Sequence, residues 1–364
     1  MRIATARVHG VSVPMQRPIV IAGTRERVAE IPCLLLHLTT TDGIMGLGFA
    51  FSMSPAMYRS LRAALEDLSA LVVDEDPLRP EMVATKLREA GEWVGPGGVL
   101  TMAAAAVDIA LWDIAGKVYG QPLCKLLGGT RERVPTYASG VLRREWSLQQ
   151  MEETTRRLVE QGFRAMKMRL GGGPTVATEE ERVRVVRAAA GSDVQIMVDA
   201  NQSWRPPQAI QMGRMLERYQ IAWLEDPVDH RDIPGLGQVA AALDMPVCAG
   251  EYMYGLEPFR YLVETRAVDV VMIDLLRVGG VTPWRKVAAL AEAFGLPVVS
   301  HMLPEIQCHL VAAAPNGMTV EHMPWFNALW REIPPMQDGQ IIVPVKPGHG
   351  LEADDAFVQA HTLA

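Results

Sequence analysis

Three acidic side chains follow apolar runs in the middle of the chain, each at or just past the end of its run. They are Asp199, Glu225 and Glu251. Any one of them could cap a following helix, but three carboxylates that converge repel one another unless a cation or protons neutralise them. Oxygen ligands without Cys or His indicate Mg²⁺, or alternatively Mn²⁺, rather than zinc. If the three runs are neighbouring strands, these residues predict a divalent-metal site.

Cationic and titratable residues end the runs on either side of this acidic group. Lys167 and Arg169 end an earlier run, and Asp274 and His301 end two later ones. A carboxylate beside a histidine fixes the ring tautomer and raises its basicity, so a His/Asp pair on adjacent strands is typical of a general base. A buried ion pair without a catalytic role is the alternative. Glu321 ends the last run and is either a further site residue or a helix cap or surface acid.

The runs that carry these residues alternate with helical patterns and predict a closed parallel barrel. They occupy residues 134–138, 165–170, 196–199, 222–225, 247–251, 270–274, 298–301 and 319–321. Eight β/α units over about 190 residues close most naturally into a TIM-type barrel, an α/β fold in which the carboxyl ends of all strands meet at one face. An open doubly wound sheet is the alternative, but residues 139–142 lack the glycine-rich phosphate turn that it usually carries. The glycine run at 171–173 is more typical of a flexible loop than of a phosphate cradle.

The two ends of the chain predict smaller structures around the barrel. The first third has strand patterns over 3–13 and 34–40, an Asp42-Gly43 turn into a third strand, and helical spacing over 54–71 and 101–118. We divide the chain into an α+β module at 1–128, the barrel at 129–325 and a C-terminal segment at 326–364. We expect the last segment to pack back on the first module.

Composition excludes several classes of protein. The 364 residues carry a net charge of −7 and are 49% hydrophobic, which is globular composition without the basic face that nucleic acid or an anionic membrane surface requires. The first residues lack a signal-peptide pattern, and we expect no membrane span. The four cysteines lie far apart without metal-binding spacing, so we expect a cytoplasmic protein without disulfides.

The order of the strand-end motifs resembles the enolase superfamily, mandelate racemase subgroup. The motifs are Lys167-Met168-Arg169, Asp199-Ala200-Asn201-Gln202, Glu225-Asp226-Pro227, Gly250-Glu251, Gly279-Gly280-Val281-Thr282, Ser300-His301 and Val320-Glu321. The resemblance spans essentially the whole chain. It implies a (β/α)₇β barrel under an α+β capping domain built from both termini, with covering loops at 17–27 and 49–55. It also favours a homo-oligomer.

The resemblance further implies a role for each site residue. Asp199, Glu225 and Glu251 would bind Mg²⁺, with Mn²⁺ as the alternative, and the His301/Asp274 pair would move the α-proton of a small carboxylate substrate. Lys167 and a protonated Glu321 would stabilise the enolate that forms, since the charge that develops on its oxygens needs donors already in place. The predicted substrate-binding residues are Ser139, Asn201, and Ile21 and Phe51 of the covering loops.

One position departs from the family pattern and favours one reaction. Arg169 stands where a racemase is expected to have a second lysine, and arginine stays protonated in nearly every protein setting. Racemisation needs a base on each face of the substrate, whereas elimination of water needs only His301. We therefore expect dehydration of a 2,3-dihydroxy acid to a 2-keto-3-deoxy acid.

Three alternatives stay open. The apolar residues of the covering loops suit a mandelate-like substrate and hence a 2-hydroxy-acid racemase or epimerase. A Schiff-base aldolase could use Lys167 as its nucleophile, and a non-enzymatic binding protein could share the scaffold. The arginines that could meet polar groups of the substrate are Arg25, Arg27, Arg143 and Arg144.

Overall fold

The first third of the chain forms an antiparallel sheet packed against helices. The computed structural model describes residues 1–20 and 27–363. Its first elements are β1 (Ile3–Val20), β2 (Arg27–Thr40), β3 (Met45–Phe51), α1 (Tyr58–Ala70), α2 (Pro80–Gly91), α3 (Gly98–Tyr119) and α4 (Leu123–Leu126). β2 lies between β1 and β3. Gly48 lets α3 approach β3 closely, because a Cβ atom there would lie 2.0 Å from the Ala106 carbonyl oxygen. We call this part the cap.

Several cap elements differ from the sequence prediction. β1 runs to Val20 and β2 begins at Arg27, and Phe51 ends β3, so much of the two predicted covering loops is strand. The helical pattern predicted from residue 54 begins with a 3₁₀ turn (Pro55–Met57), and α1 follows from Tyr58. α2 was missed because its apolar stripe is narrow, with only Val83, Leu87 and Gly91 buried.

The long apolar helix α3 forms the interior of the cap. Its length and composition alone would allow it to cross a membrane. However, 61% of its most apolar stretch is buried inside the protein. Its buried side chains include Val107, Ile109 and Leu111. These features are those of a core helix.

The middle of the chain closes into a barrel of eight parallel strands. The strands are β4 (Arg133–Leu142), β5 (Ala165–Arg169), β6 (Gln195–Asp199), β7 (Ile221–Glu225), β8 (Val247–Ala249), β9 (Val270–Asp274), β10 (Val298–His301) and β11 (Gly317–His322). The helices are α5 (Leu148–Glu160), α6 (Val176–Ala190), α7 (Pro206–Glu217), α8 (Ile233–Ala242), α9 (Glu257–Glu264), α10 (Leu275–Val278), α11 (Val281–Ala293) and α12 (Pro304–Ala313). β11 pairs in parallel with β4 and closes the ring. The predicted TIM-type barrel is confirmed, and the open doubly wound sheet is wrong.

The barrel interior is filled beneath the strand ends. Tyr137, Met197, Trp223, Cys248 and Met272 form one buried cluster there, with the Tyr137 and Trp223 rings in edge contact at 5.4 Å. This packing supports the polar residues of the upper face from below.

The C-terminal segment divides between the two parts of the molecule. The hairpin of β12 (Met336–Gln337) and β13 (Gln340–Ile342) pairs with β4 of the barrel, not with the cap as we expected. β4 begins at Arg133 but pairs with β11 only from Thr136 onwards. The backbone groups of its first residues are therefore available to pair with β13. α13 (Asp355–Ala360) follows, and β14 (Thr362–Leu363) joins the cap sheet beside β1.

Candidate active site

Strand register brings the predicted residues together at the carboxyl end of the barrel. Arg169 pairs across the sheet with Asp199, and Asp199 with Glu225. Asp274 pairs with His301 on the other side. These strand ends surround a cavity of about 940 Å³ that lies between barrel and cap. Residues that are far apart in the sequence therefore lie close together in space, as expected at one end of a parallel barrel.

The three predicted metal ligands are buried carboxylates. Asp199 and Glu225 are 0% exposed and Glu251 is 3% exposed. Burial raises the pKa of Glu225 to about 8, with Asp199 and Glu251 adding to the effect against the opposing charge of Lys167. Buried acids of one sign cost free energy unless a cation compensates them.

The carboxylate oxygens fit a hard divalent cation. Asp199 Oδ2 and Glu251 Oε2 are buried and make no well-aligned hydrogen bond, although Arg169 Nε lies 3.0 Å from the first and His301 Nε2 lies 3.2 Å from the second. In residues 1–20 and 27–363, no three His, Cys, Asp or Glu side chains are already arranged around one point. To bind Mg²⁺, the carboxylates must turn towards one another.

His301 and Asp274 form an oriented pair. Their Nδ1 and Oδ2 atoms are 2.6 Å apart, and the other Asp274 oxygen accepts backbone N–H groups from Leu276 at 2.9 Å and Arg277 at 2.7 Å. Burial alone lowers the pKa of His301, but Glu251, the hydrogen bond with Asp274 and Glu321 raise it to about 9. Nδ1 faces Asp274, and Nε2 lies 3.2 Å from Glu251 Oε2 in the wall of the cavity.

The turn that carries His301 is held by residues that the sequence did not indicate. Met302 and Leu303 have φ values of 56° and 44°, a conformation that costs free energy for residues other than glycine. The Gln307 amide donates to the carbonyls of His301 and Met302 at 2.5 and 2.9 Å, and Trp284 Nε1 donates to the Gln307 oxygen at 3.0 Å. Gln307 therefore positions the histidine through the backbone.

Lys167 lies between two carboxylates. It contacts Glu225 and lies 2.8 Å from Glu321. Although burial opposes the charge, Glu225 and Glu321 hold the pKa of Lys167 well above its usual value. A Schiff-base nucleophile needs a neutral amine, so this arrangement contradicts the aldolase alternative.

Glu321 differs from its predicted state. Oε1 accepts from Ser139 Oγ at 2.7 Å, and Oε2 accepts from the Met302 N–H at 2.6 Å. Burial would raise the pKa of Glu321, but Lys167 and His301 lower it to about 2. The donors around Glu321 favour an ionised carboxylate, against the expectation of a protonated Glu321 that donates a hydrogen bond.

Arg169 is a fixed cation at the edge of the acidic group. Burial opposes its charge, but Asp199 and Glu251 hold its pKa above the usual value. Its Nε lies 3.0 Å from Asp199 Oδ2. An arginine so paired does not act as a base near neutral pH.

Three of the four predicted substrate-binding residues line the cavity. Asn201 lines the cavity, and its amide donates to the Tyr252 hydroxyl at 2.8 Å. Phe51 lines the cavity from the cap, whereas Ser139 lines it with a hydroxyl that is directed to Glu321. Ile21 lies outside the described residues.

Other lining residues were not predicted. Tyr252 follows Glu251 directly, and Arg277 lies in the short helix α10 after Asp274. The Arg277 guanidinium stacks over the Tyr252 ring at 4.7 Å and donates to the Glu251 carbonyl at 2.8 Å. Their nearness in sequence to the strand ends is the signal that could have indicated them.

Comparison with known proteins identifies the family. Residues 3–128 match the family model of the mandelate racemase/muconate lactonizing enzyme N-terminal domain, and residues 150–357 match the enolase C-terminal domain-like model. The chain is 33% identical to an L-talarate/galactarate dehydratase of Salmonella typhimurium, over 96% of this chain and 88% of that protein. It is 30% identical to an L-Ala-D/L-Glu epimerase of Clostridium acetobutylicum, over 83% of this chain and 82% of that protein.

A solved structure agrees over the full length. The crystal structure of an L-talarate dehydratase from a Polaromonas species, complexed with Mg and L-glucarate, has a TM-score of 0.95 and 34% identity, and the match covers 100% of this chain and 98% of that one. The family match excludes the alternative of a non-enzymatic binding protein. The chain is an enzyme that belongs to the mandelate racemase/muconate lactonizing enzyme family of the enolase superfamily.

Proposed function

We propose that this enzyme is a Mg²⁺-dependent acid-sugar dehydratase that converts a 2,3-dihydroxy acid to a 2-keto-3-deoxy acid. The observation that carries the proposal is the asymmetry between His301 and Arg169. His301 lines the cavity and is oriented by Asp274, whereas Arg169 is held as a cation beside Asp199. One base suffices for elimination but not for exchange of a proton between two faces.

Asp199, Glu225 and Glu251 would hold Mg²⁺, or Mn²⁺ in its place, since their buried oxygens are the ligands that such ions prefer. When bound, the cation would draw charge from the substrate carboxylate and so stabilise the enolate. Lys167, which is 3% exposed at the base of the cavity, would donate to the same carboxylate. Glu321 orients Lys167 and does not itself donate.

His301 carries both proton transfers in this proposal. In the neutral form of the ring, its Nε2 takes the proton from C2, and the electron pair of that bond moves into the enolate. As the enolate collapses, the bond from C3 to its hydroxyl oxygen breaks and the His301 imidazolium protonates the departing oxygen to form water. The resulting enol becomes the 2-keto product.

A racemase or epimerase is the second candidate, and the cavity wall favours it. The residues Ile19, Phe51, Met53, Val99 and Met102 present apolar side chains from the cap. Such a wall suits a substrate with few hydroxyl groups. For that reaction, Arg169 would have to release a proton while paired with Asp199, which argues against it.

The two reactions give different products in D₂O. The enzyme is incubated with Mg²⁺ and a panel of acid sugars and 2-hydroxy acids, and the products are followed by NMR. We expect a 2-keto-3-deoxy acid to form. Excess chelator should stop its formation. His301→Asn should reduce the rate by several orders of magnitude, as loss of an essential base does, whereas Asp274→Asn should leave a slower enzyme. The opposite enantiomer or epimer with deuterium at C2 and no keto product would establish the second candidate instead.

A further inference from the structure

Arg144 is a cation of the cavity wall without an acidic partner. Its Nη1 donates to Ser203 Oγ at 3.2 Å, and no carboxylate of the described chain lies within ion-pair distance of its guanidinium. The neighbouring arginines differ, since Arg169 pairs with Asp199 at 3.0 Å and Arg143 lies 3.9 Å from Glu145.

The loops around Arg144 are clamped. Arg182 donates to the carbonyls of Arg143 and Trp146 at 2.9 and 2.8 Å, which fixes the segment that contains Arg144. On the other side, Glu179 accepts the N–H groups of Gly171 and Gly173 at 2.9 and 2.6 Å. The backbone of the glycine run, which lies in a loop, is therefore held by Glu179.

The Arg144 side chain crosses this fixed glycine run. A Cβ atom at Gly172 would lie 3.4 Å from Arg144 Cδ, an ordinary van der Waals distance, so the arginine side chain lies along this backbone. The guanidinium is thereby held between the loops that follow β4, β5 and β6. Such a preorganised donor binds an anion without first losing side-chain freedom.

Charge favours an anionic ligand at this position. Arg144 is half-buried, and burial lowers its pKa, with the charge of Arg169 adding to the effect. Arg143 is affected in the same way by burial and by Arg169. Like charges held together in a partly desolvated site repel one another, and a bound anion would relieve that repulsion.

Lys167 and Arg144 lie at different depths of the cavity. Lys167 belongs to β5 and is 3% exposed, whereas Arg144 lies in the loop beyond the end of β4 and is half-buried. A substrate whose reacting carboxylate contacts Lys167 would direct its other end to the more exposed part of the cavity, which Arg144 also lines.

We infer that Arg144 binds a second carboxylate at the far end of the substrate, so that the enzyme acts on aldaric acids in preference to aldonic acids. This inference rests on the proposed dehydratase function. A guanidinium with one donor held by Ser203 keeps further N–H groups for a carboxylate, which it can bind with two parallel hydrogen bonds. An aldonic acid has a hydroxymethyl group at that end and would leave those donors without an anion.

The test compares substrates that differ only at the far end. Galactarate and galactonate share the configuration of their carbinol carbons, as do glucarate and gluconate. For the pair that is turned over, we expect kcat/KM of the wild-type enzyme to be higher for the diacid. Arg144→Gln should reduce the ratio of the two values by about 10²-fold, and Arg144→Lys by less.

Arg231→Gln is the matched control. Arg231 lines the same cavity, but its guanidinium already binds Asp229 through two contacts of 3.0 and 2.6 Å, so its loss should not change the ratio. Binding in a His301→Asn background, followed by calorimetry, separates affinity from turnover and should show the same dependence on Arg144.

The outcomes separate the inference from the function on which it rests. Dehydration of both acids with equal efficiency, or a ratio that Arg144→Gln leaves unchanged, would overturn the role of Arg144 and leave the dehydratase intact. A preference for a 6-phosphorylated aldonic acid over the diacid would likewise overturn it. If no acid sugar is dehydrated, the proposed function itself fails and the inference fails with it.

Discussion

At the scale of single residues, the site is a set of buried charges that neutralise one another in pairs. Lys167 contacts Glu225 and Glu321, Arg169 contacts Asp199, and His301 contacts Asp274. Each contact fixes one protonation state, because removal of a partner would leave an uncompensated buried charge. The pairing, rather than the residue type alone, keeps Lys167 cationic, whereas His301, whose pKa is raised to about 9, must lose its proton before it can act as the base.

The state of Glu321 can be tested with one substitution. Glu321→Gln removes the negative charge beside Lys167 and places an amide among the donors of Ser139 and Met302. We expect a folded enzyme whose rate of α-proton exchange falls by roughly 10²-fold or more, since the lysine loses its orienting partner. The measurement is hydrogen–deuterium exchange at C2, with circular dichroism to verify folding.

The control is Ser139→Ala, which removes one hydrogen bond to Glu321 and keeps its charge. We expect this variant to lose less than about tenfold, in line with one hydrogen bond. If Glu321→Gln retained exchange within a few-fold of the wild type, the side chain would act as a neutral donor, and the ionised state described above would be wrong.

At the scale of elements, one carboxylate joins the cap to the barrel. Asp108 of α3 is 3% exposed, and its Oδ2 accepts the N–H of Thr282 in α11 at 2.9 Å, whereas its Oδ1 has no partner. A Cβ atom at Gly280, where φ is 105°, would lie 2.6 Å from Asp108 Cβ. The glycine is therefore needed both for the turn and for the approach of α3.

This contact makes stability depend on pH. Burial raises the pKa of Asp108 to about 7, against the hydrogen bonds from Thr282, while the unfolded chain keeps the ordinary value near 3.8. The folded state thus holds a proton that the unfolded state has lost, so this group's contribution is fully present below pH 4 and declines as pH rises to about 7.

Asp108→Asn should remove that decline. We expect the free energy of unfolding of the wild type to fall relative to the variant by on the order of 2 kcal/mol between pH 5 and pH 8. Urea denaturation of both proteins at each pH measures the difference. A difference that stays constant across this range would show that Asp108 is ionised in the folded protein throughout.

The sequence predicted elements better than it predicted contacts between them. All eight barrel strands were indicated because buried parallel strands are short apolar runs, and their polar ends marked the site. The length of β1 was underestimated because its extension beyond Val13 is mostly exposed. The length of β2 was underestimated although its extension before Leu34 contains the buried residues Val28, Ile31 and Cys33. The hydrogen bond from the Gln307 amide to the His301 carbonyl depends on tertiary packing, which cannot be predicted from a single sequence.

The charge states of the site residues could not be predicted from the sequence either. Glu321 was correctly picked out by its place at the end of the last run, but its ionisation depends on donors from Ser139 and Met302, which lie on other elements. The same holds for Arg144, whose partner Ser203 belongs to a loop two strands away. Residue type and strand-end position are visible in a sequence, whereas the partners that decide protonation are not.

At the scale of the whole molecule, an aromatic cluster joins cap, barrel and C-terminal segment. Phe49 and Phe51 of β3 contact Phe326, with ring centroids 5.1 and 4.8 Å apart, and Trp330 packs on Phe49 at 5.4 Å. Phe326 follows the last barrel strand and is 0% exposed. Because Phe51 also lines the cavity, the cluster that holds the cap in place also shapes the substrate site.

Phe326→Ala should therefore affect stability and catalysis together. Loss of a fully buried ring leaves a cavity and should lower the free energy of unfolding by about 3–5 kcal/mol, and a cap that is held less firmly should raise KM more than it lowers kcat. Denaturant unfolding and steady-state kinetics measure the two effects. Phe294→Ala is the control, because that ring is 49% exposed on the barrel surface and its loss should cost less than about 1 kcal/mol. If Phe326→Ala lost stability but kept the wild-type KM, the cluster would stabilise the fold without positioning the cap over the cavity.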